Sequence, residues 1–253
     1  MFEFNINSII GHRGCDELKY SNTIEAFLKG IELGADMIEF DVRRTKDGVL
    51  IVYHDEDVFG KNISDNNYEF LKLFALKKDL QIPTLRETLV ALKGKTYPVV
   101  EIKEEGYEKD IVKEIKEYFS EQDFAVISFV DTVIKKIKIN FPEVTAGLLL
   151  GDEYIDMKKW NPRINYLSLL FERYSELFPW KRVRKCKADF IAPYYVLLHL
   201  GLLKSANKRN IPVFVWTVNK QSRVKKLIKG KLVHGIISDK PGLVYELIML
   251  NTN

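Results

Sequence analysis

Short runs of β-branched and other apolar residues alternate with longer amphipathic runs along almost the whole chain. The short runs are apolar on both faces, which is typical of parallel strands covered by helices. They predict strands at 7–12, 36–42, 49–55, 97–103, 124–129, 144–150, 188–193, 212–218 and 234–239. The longer runs repeat apolar residues at i, i+3 and i+4. They predict helices at 23–34, 84–94, 108–119, 133–141, 196–210 and 221–230.

Strand and helix runs that alternate in this way, with no linker between them, favour a single α/β domain over residues 1–253. Roughly eight such units in a chain of this length predict a (β/α)₈ barrel. A doubly wound open sheet is the alternative. The sequence contains no GxGxxG or GxxxxGK[ST] phosphate loop that would support that alternative.

Two regions depart from a regular barrel. The strand at 49–55 follows the strand at 36–42 too closely for a crossover helix, and Asp47-Gly48 predicts a hairpin between them. This hairpin would fold His54 back towards the earlier strand, and residues 55–83 would form a short insertion after the second barrel strand. The segment 165–170 reads as strand or helix; we assign it to a helical region that runs towards residue 187.

Composition and charge exclude several classes of protein. The net charge is +4, but acidic and basic residues are interspersed, unlike the clustered charge of most nucleic-acid-binding proteins. Cys15 and Cys186 form no CxxC pair and suggest neither a disulfide framework nor a zinc site. No apolar run approaches the ~18–20 residues that span a bilayer. The first residues lack a basic, apolar leader, so we expect a cytoplasmic protein without membrane insertion.

Polar residues occupy the carboxyl ends of several predicted strands, where barrels carry their chemistry. These residues are His12 and Arg13, Glu39 and Asp41, Glu101 and Lys103, with Trp216 and Asp239 on later strands. Residues two apart on a strand share one face. Each pair of residues, Glu39 with Asp41 and Glu101 with Lys103, is therefore expected to face the barrel interior together.

Three carboxylates in one barrel mouth need positive charge, because desolvated like charges raise each other's pKa. Oxygen ligands without cysteine suit a hard divalent cation such as Mg²⁺ or Ca²⁺. Arg13 and Lys103 add cationic groups that would hold a phosphate. His12 and His54 would then be placed for acid–base chemistry. Together these groups predict phosphoryl or phosphodiester transfer.

Each motif also has a simpler interpretation. The segments EFD and EIK could form ordinary salt bridges, HRG a capped turn, and the acidic run after His54 a solvated hairpin tip. The combination favours the functional interpretation, because the chain has only four histidines and two of them fall at these strand ends.

The ordered motifs resemble the glycerophosphodiester phosphodiesterase family. They cover residues 9–242 in the family's order: HRG, NTIEAF, GADMIEFDVRRTKDG, VYHD, PTLRETL, VEIK, ISF, WTVN and GIISDKP. The resemblance implies the phosphodiesterase type of (β/α)₈ barrel, with the small insertion of this family. It also implies metal-dependent hydrolysis of a glycerophosphodiester to sn-glycerol 3-phosphate and an alcohol.

The resemblance also implies a role for each matched residue. His12 and His54 would be the acid–base pair, with their order left open. Glu39, Asp41 and Glu101 would bind Mg²⁺ or Ca²⁺, Arg13 and Lys103 would contact the phosphate, and Trp216 would line the glycerol end. One departure is visible: the family usually has an acidic residue before Asn22-Thr23, whereas this chain has Ser21, which we expect to cap the following helix.

Two other functions stay open at this point. A lysophospholipase-D-like enzyme would act on lipid substrates and would need an apolar approach to the barrel mouth, for which Phe129, Phe171, Tyr194 and Tyr195 are candidates. A non-catalytic phosphodiester-binding module would be expected to lack one of the two histidines, and both are present.

Overall fold

Eight parallel strands surround an apolar interior, and helices cover them on the outside. The computed structural model describes residues 6–151, 175–176, 178–231 and 233–252. Its strands are β1 (Ser8–His12), β2 (Met37–Arg44), β3 (Leu50–Val52), β4 (Asp57–Val58), β5 (Lys61–Asn62), β6 (Tyr97–Ile102), β7 (Ala125–Ser128), β8 (Thr145–Leu150), β9 (Phe190–Pro193), β10 (Phe214–Val215) and β11 (Gly235–Ser238). Its helices are α1 (Ile24–Glu32), α2 (Tyr68–Leu76), α3 (Leu85–Leu92), α4 (Glu108–Lys116), α5 (Asp131–Asn140), α6 (Trp180–Cys186), α7 (Leu202–Asn207), α8 (Gln221–Gly230) and α9 (Pro241–Thr252).

The barrel strands are hydrogen-bonded in the order β10, β11, β1, β2, β6, β7, β8, β9. All of these neighbours pair in parallel. The outer strands β9 and β10 meet through isolated parallel bridges between Ile191 and Val213 and between Tyr194 and Trp216. The sheet is therefore a nearly closed barrel, which confirms the predicted (β/α)₈ fold and rules out the open sheet.

Side chains that alternate along each strand divide the core into an inner and an outer layer. Alternate residues of β2 show how the inner layer ends: Met37 packs inside the barrel, and Glu39 and Asp41 follow it on the same face. The other apolar residues of the inner layer are Ile10, Val99, Ala125, Ile127, Leu149, Phe190, Ala192, Phe214, Trp216 and Ile237. The polar residues at the strand ends thus lie directly above a layer of buried apolar side chains.

The predicted hairpin is present. Strand β3 pairs antiparallel to β2, with Val42 opposite Val52, and the turn uses Gly48 at φ +84°. The residues that follow form the small hairpin of β4 and β5 and then helix α2. These elements pack around a separate apolar cluster: Ile51, Val58, Ile63, Tyr68, Leu71, Ala75, Leu80 and Ile82.

The predicted single helix at 196–210 is wrong in one respect. It is divided into a 3₁₀ helix at Tyr195–Leu200 and helix α7, because Gly201 adopts a left-handed φ of +85° between them. Helix α9 was not predicted, since its consecutive apolar residues hide the helical period. Segment 165–170 lies outside the described residues, while α6 lies within the region predicted to be helical. Among the described helices, none has the length and apolarity needed to cross a bilayer.

Candidate active site

Parallel strand register brings three carboxylates together at the carboxyl ends of β1, β2 and β6. His12 pairs with Glu39 across β1 and β2, and Asp41 pairs with Glu101 across β2 and β6. Glu39, Asp41 and Glu101 are all buried and offer oxygen atoms within 4.8 Å of one another. Three clustered carboxylates are a donor set that suits a hard divalent cation.

Two cations partly neutralise this carboxylate cluster. Lys103 Nζ lies 2.7 Å from Glu101 Oε1 and 3.2 Å from Asp41 Oδ1, and Arg13 Nε lies 3.2 Å from Asp41 Oδ2. Although burial opposes its charged form, Asp41 keeps a pKa below its ordinary value because Lys103 and Arg13 are so close. Burial, followed by repulsion from Asp41 and Glu101, raises the pKa of Glu39 well above its ordinary value. The cluster is thus short of positive charge at Glu39.

The HRG turn carries its own backbone contact to the carboxylates. Arg13 adopts a left-handed φ of +51°, and its backbone N–H donates to Glu39 Oε2 at 3.0 Å. Gly11 and Gly14, which flank the two polar residues of the turn, allow backbone segments to pack closely together. A Cβ on Gly14 would lie 2.5 Å from the backbone of Ala26 in α1, and a Cβ on Gly11 would collide with the Gly14 carbonyl oxygen. Gly14 therefore permits close approach of the turn to helix α1, and Gly11 permits the tight turn itself.

Asn22 is a site residue that was not predicted from the sequence. Its side-chain Nδ2 donates to Asp41 Oδ2 at 2.7 Å, and its Oδ1 accepts from the Asp41 backbone N–H at 3.3 Å. The residue is buried, with a φ of +57°. The sequence signal that could have identified Asn22 is its place at the start of the NTIEAF motif. Thr23, rather than Ser21, caps helix α1 by accepting from Ala26 N–H at 3.2 Å, so the expected cap by Ser21 is wrong and Ser21 is exposed.

The carboxylate of Asp239 orients the His12 ring. The Nδ1–H of His12 donates to Asp239 Oδ1 at 2.5 Å, and its Nε2 faces Glu39 Oε2 at 4.0 Å. Burial opposes the charge on Asp239, but its hydrogen bond with His12 keeps its pKa below the ordinary value. Asn219 holds this carboxylate in turn, since its Nδ2 donates to Asp239 and its Oδ1 accepts from the Asp239 N–H at 3.0 Å. Asp239 was identified as a strand-end residue, but its contact with His12 was not foreseen.

His54 reaches the same cluster from the other side. The backbone N–H of the preceding Tyr53 donates to the Asp41 carbonyl oxygen at 3.0 Å, so the chain after β3 runs beside β2 as the hairpin predicted. The His54 ring is close enough to Asp41 to contribute to the lowering of its pKa. Its Nδ1 donates to Asp55 Oδ1 at 2.7 Å, so Asp55 helps to orient the ring through this nitrogen.

Trp216 forms an aromatic wall of the mouth. Its indole Nε1–H donates to the Ala192 carbonyl oxygen at 2.7 Å, which fixes the ring at 5% exposure. Phe129 meets it edge-on at a centroid distance of 5.5 Å, and the tilted ring of Tyr194 lies at a centroid distance of 5.2 Å. A small cavity between this wall and the carboxylates is lined by His12, Glu39, Glu101, Ile127, Phe129, Leu149, Trp216 and Ile237.

The geometry therefore gathers around one barrel mouth the eight residues to which the family resemblance assigned a role, whereas Phe171 lies outside the described residues. These eight residues are His12, Arg13, Glu39, Asp41, His54, Glu101, Lys103 and Trp216. The profile of the glycerophosphoryl diester phosphodiesterase family matches residues 12–243, which include all eight. The chain belongs to the glycerophosphoryl diester phosphodiesterase family.

Similar proteins agree with this assignment. A glycerophosphodiester phosphodiesterase from Caldanaerobacter subterraneus subsp. tengcongensis is 32% identical over 95% of this chain and 97% of its own length. The solved glycerophosphodiester phosphodiesterase from Thermotoga maritima has a TM-score of 0.73 at 27% identity, covering 95% of this chain and 98% of that one. An Oleispira antarctica phosphodiesterase, solved with its product sn-glycerol-3-phosphate, shares the fold with a TM-score of 0.75 at 18% identity, covering 96% of this chain and 97% of that one.

Proposed function

We propose that this enzyme hydrolyses glycerophosphodiesters to sn-glycerol 3-phosphate and an alcohol, in a metal-dependent reaction with His12 and His54 as its acid–base pair. The observation that carries the proposal is that His12, at the end of β1, and His54, just after β3, both lie close to one cluster of buried carboxylates. The relative in complex with sn-glycerol-3-phosphate and the family membership support the substrate class.

Glu39, Asp41 and Glu101 would hold the divalent metal. Their close oxygens and the raised pKa of Glu39 fit a cluster that lacks one cation. Mg²⁺ or Ca²⁺ bound there would stabilise the negative charge that develops on the phosphate oxygens. Arg13 and Lys103 lie at the edge of the cluster and would add contacts to the phosphate. Trp216 would pack against the glycerol end of the substrate.

The two histidines would divide the proton transfers between them. In the first step the neighbouring glycerol hydroxyl attacks phosphorus, and one histidine takes its proton while the other protonates the departing alcohol oxygen. This step forms a cyclic phosphate. In the second step water attacks phosphorus with the two roles reversed, which opens the ring to glycerol 3-phosphate. The ionised Asp239 would stabilise the protonated His12 in whichever step that ring carries the extra proton.

A substrate panel tests this proposal. Purified protein is incubated with glycerophosphocholine, glycerophosphoethanolamine, glycerophosphoglycerol and lysophosphatidylcholine, with Mg²⁺, with Ca²⁺ and with EDTA. Release of glycerol 3-phosphate is followed for the first three substrates, and release of lysophosphatidic acid for lysophosphatidylcholine. We expect metal-dependent release from a glycerophosphodiester and a loss of about 100-fold or more in His12→Ala and His54→Ala.

His234→Gln is the matched control. His234 precedes β11 at the opposite end of the barrel, and its Nδ1 accepts from the Val213 N–H at 3.3 Å, a contact that glutamine can replace. This variant should keep full activity. Activity that is insensitive to EDTA, or full activity in His12→Ala or His54→Ala, would contradict the mechanism. Failure to cleave any diester in the panel would contradict the proposed reaction itself.

A further inference from the structure

A buried arginine links the loop that carries His54 to the loop that follows β6. Arg43, near the end of β2, has only 6% of its surface exposed. Arginine is rarely buried to this extent unless its donors are paired. The neighbouring Arg44 lies on the same strand but is less buried, and its guanidinium stacks on the ring of Tyr107 at 4.9 Å. The two arginines therefore offer a matched pair of positions.

The contacts of Arg43 run in two directions. Its Nε donates to the backbone carbonyl oxygen of His54 at 2.9 Å. Its Nη1 forms an ion pair with Glu104, the residue directly after Lys103. Glu104 also accepts from the hydroxyl of buried Tyr107 at 2.8 Å. A single guanidinium thus connects the backbone at His54 with the segment that carries Lys103.

The position of this link matters because His54 lies beyond the ladder that forms the hairpin. Strand β3 ends at Val52, and His54 begins the path into the β4–β5 hairpin. Its neighbour Asp55, which bonds the ring, has a side chain that is 68% exposed. A bond from a buried guanidinium to the His54 carbonyl fixes the backbone from which the imidazole projects. Errors of about 1 Å in the position of such a group can lower a rate by about 100-fold.

We propose that Arg43 is a positioning residue for His54, acting through the His54 carbonyl oxygen and anchored by Glu104. The proposal rests on the proposed acid–base role of His54. The Arg43→Met substitution is expected to leave substrate binding nearly untouched, because the contacts of Arg43 are with the His54 carbonyl oxygen and Glu104 rather than with a proposed substrate-binding group.

A double-mutant cycle tests this positioning role. We expect Arg43→Met to lower kcat about 10- to 100-fold, with KM changed by less than about threefold. In the His54→Ala background the same substitution should change the residual rate by less than about twofold, because the group that it positions is already absent. Arg43→Lys keeps the charge but lacks the planar fork needed for both contacts, so it should fall between the wild type and Arg43→Met. Arg44→Met is the control and should retain wild-type kcat.

The outcomes separate the two hypotheses. If Arg43→Met lowers the rate by the same factor with and without His54, Arg43 is merely structural and the inference is wrong. If His54→Ala alone is fully active, the proposed role of His54 has failed independently of Arg43. Circular dichroism and thermal melting establish that each variant is folded. Should Arg43→Met fail to fold, Glu104→Gln, at a side chain that is 43% exposed, replaces it in the cycle with an expected several-fold loss of kcat that also vanishes without His54.

Discussion

Replacing Glu39 with glutamine is expected to stabilise the metal-free protein, although Glu39 is a proposed metal ligand. Glu39 is buried within 4.8 Å of two other carboxylates, and its pKa is raised well above the ordinary value of 4.5. At pH 7 the folded, metal-free protein either holds this charge against repulsion or binds a proton. The unfolded chain does neither, because its glutamate is freely ionised. The difference lowers the free energy of unfolding.

The size of this penalty has an upper limit. It cannot exceed the free energy needed to protonate an ordinary glutamate at pH 7, which is about 3 kcal/mol for the interval from 4.5 to 7 at about 1.4 kcal/mol per pH unit. Glutamine removes the charge and keeps an oxygen that can accept from the Arg13 N–H. We therefore expect Glu39→Gln to stabilise the metal-free protein by about 1–3 kcal/mol, which raises Tm by about 3–10 °C.

Thermal melting in EDTA at two pH values measures this effect. A carboxyl with a raised folded-state pKa lowers stability as pH rises above its unfolded value, so the gain from Glu39→Gln should be large at pH 7 and nearly absent near pH 4.5. Adding Ca²⁺ or Mg²⁺ should stabilise the wild type much more than the variant.

Asp41→Asn provides the contrasting control. The pKa of Asp41 is lowered below its ordinary value by Lys103 and Arg13, so its charge stabilises the fold at neutral pH. Removing one partner of buried ion pairs typically costs about 3–5 kcal/mol. This variant should therefore melt below the wild type in EDTA. A Glu39→Gln protein that also melts lower, or an Asp41→Asn protein that melts higher, would refute this account of the cluster's charge balance.

Three other predictions concern metal affinity, the packing of Gly14 and the cap of helix α3. Because Glu39 must be ionised to act as the proposed metal ligand, the affinity for Ca²⁺ should increase with pH and binding should release protons. Calorimetry in buffers of different ionisation enthalpy measures both effects, and equal affinity at pH 5.5 and 8 would contradict the proposal. Gly14→Ala should destabilise the fold by more than about 2 kcal/mol, because the added Cβ would lie 2.5 Å from the backbone of Ala26. Denaturant titrations measure this loss. Thr84→Ala removes the capping box of α3 and should cost about 1 kcal/mol in the same titrations while leaving kcat unchanged.

The barrel could be predicted from the sequence because its strands and helices have different apolar periods. The hairpin between β2 and β3 was equally predictable, because the two strand runs are too close for a crossover helix and Asp47-Gly48 favours a tight turn. The break at Gly201 was not predictable, because the apolar spacing continues on both sides of it. Only the left-handed backbone of Gly201 ends the 3₁₀ helix.

The site was predictable where its residues share a strand and less so where they meet across the fold. Glu39 and Asp41 could be placed on one face from their spacing alone. The contacts of Asn22 with Asp41 and of Asp239 with His12 join residues 19 and 227 positions apart. Such contacts depend on how α1 and β11 pack beside β1 and β2, which no local pattern specifies.

The seam between β9 and β10 divides the barrel mouth into two mechanically different halves. The carboxylates stand on β2 and β6, which share a continuous ladder of six paired residues, whereas Trp216 stands beside a seam held by isolated bridges. Amide exchange is expected to be slowest around the carboxylates and fastest along that seam. The strands that carry the proposed metal ligands are thus expected to be stiffer than the seam beside Trp216, the wall proposed for the glycerol end. A compliant wall there would let the glycerol end settle without displacing the carboxylates.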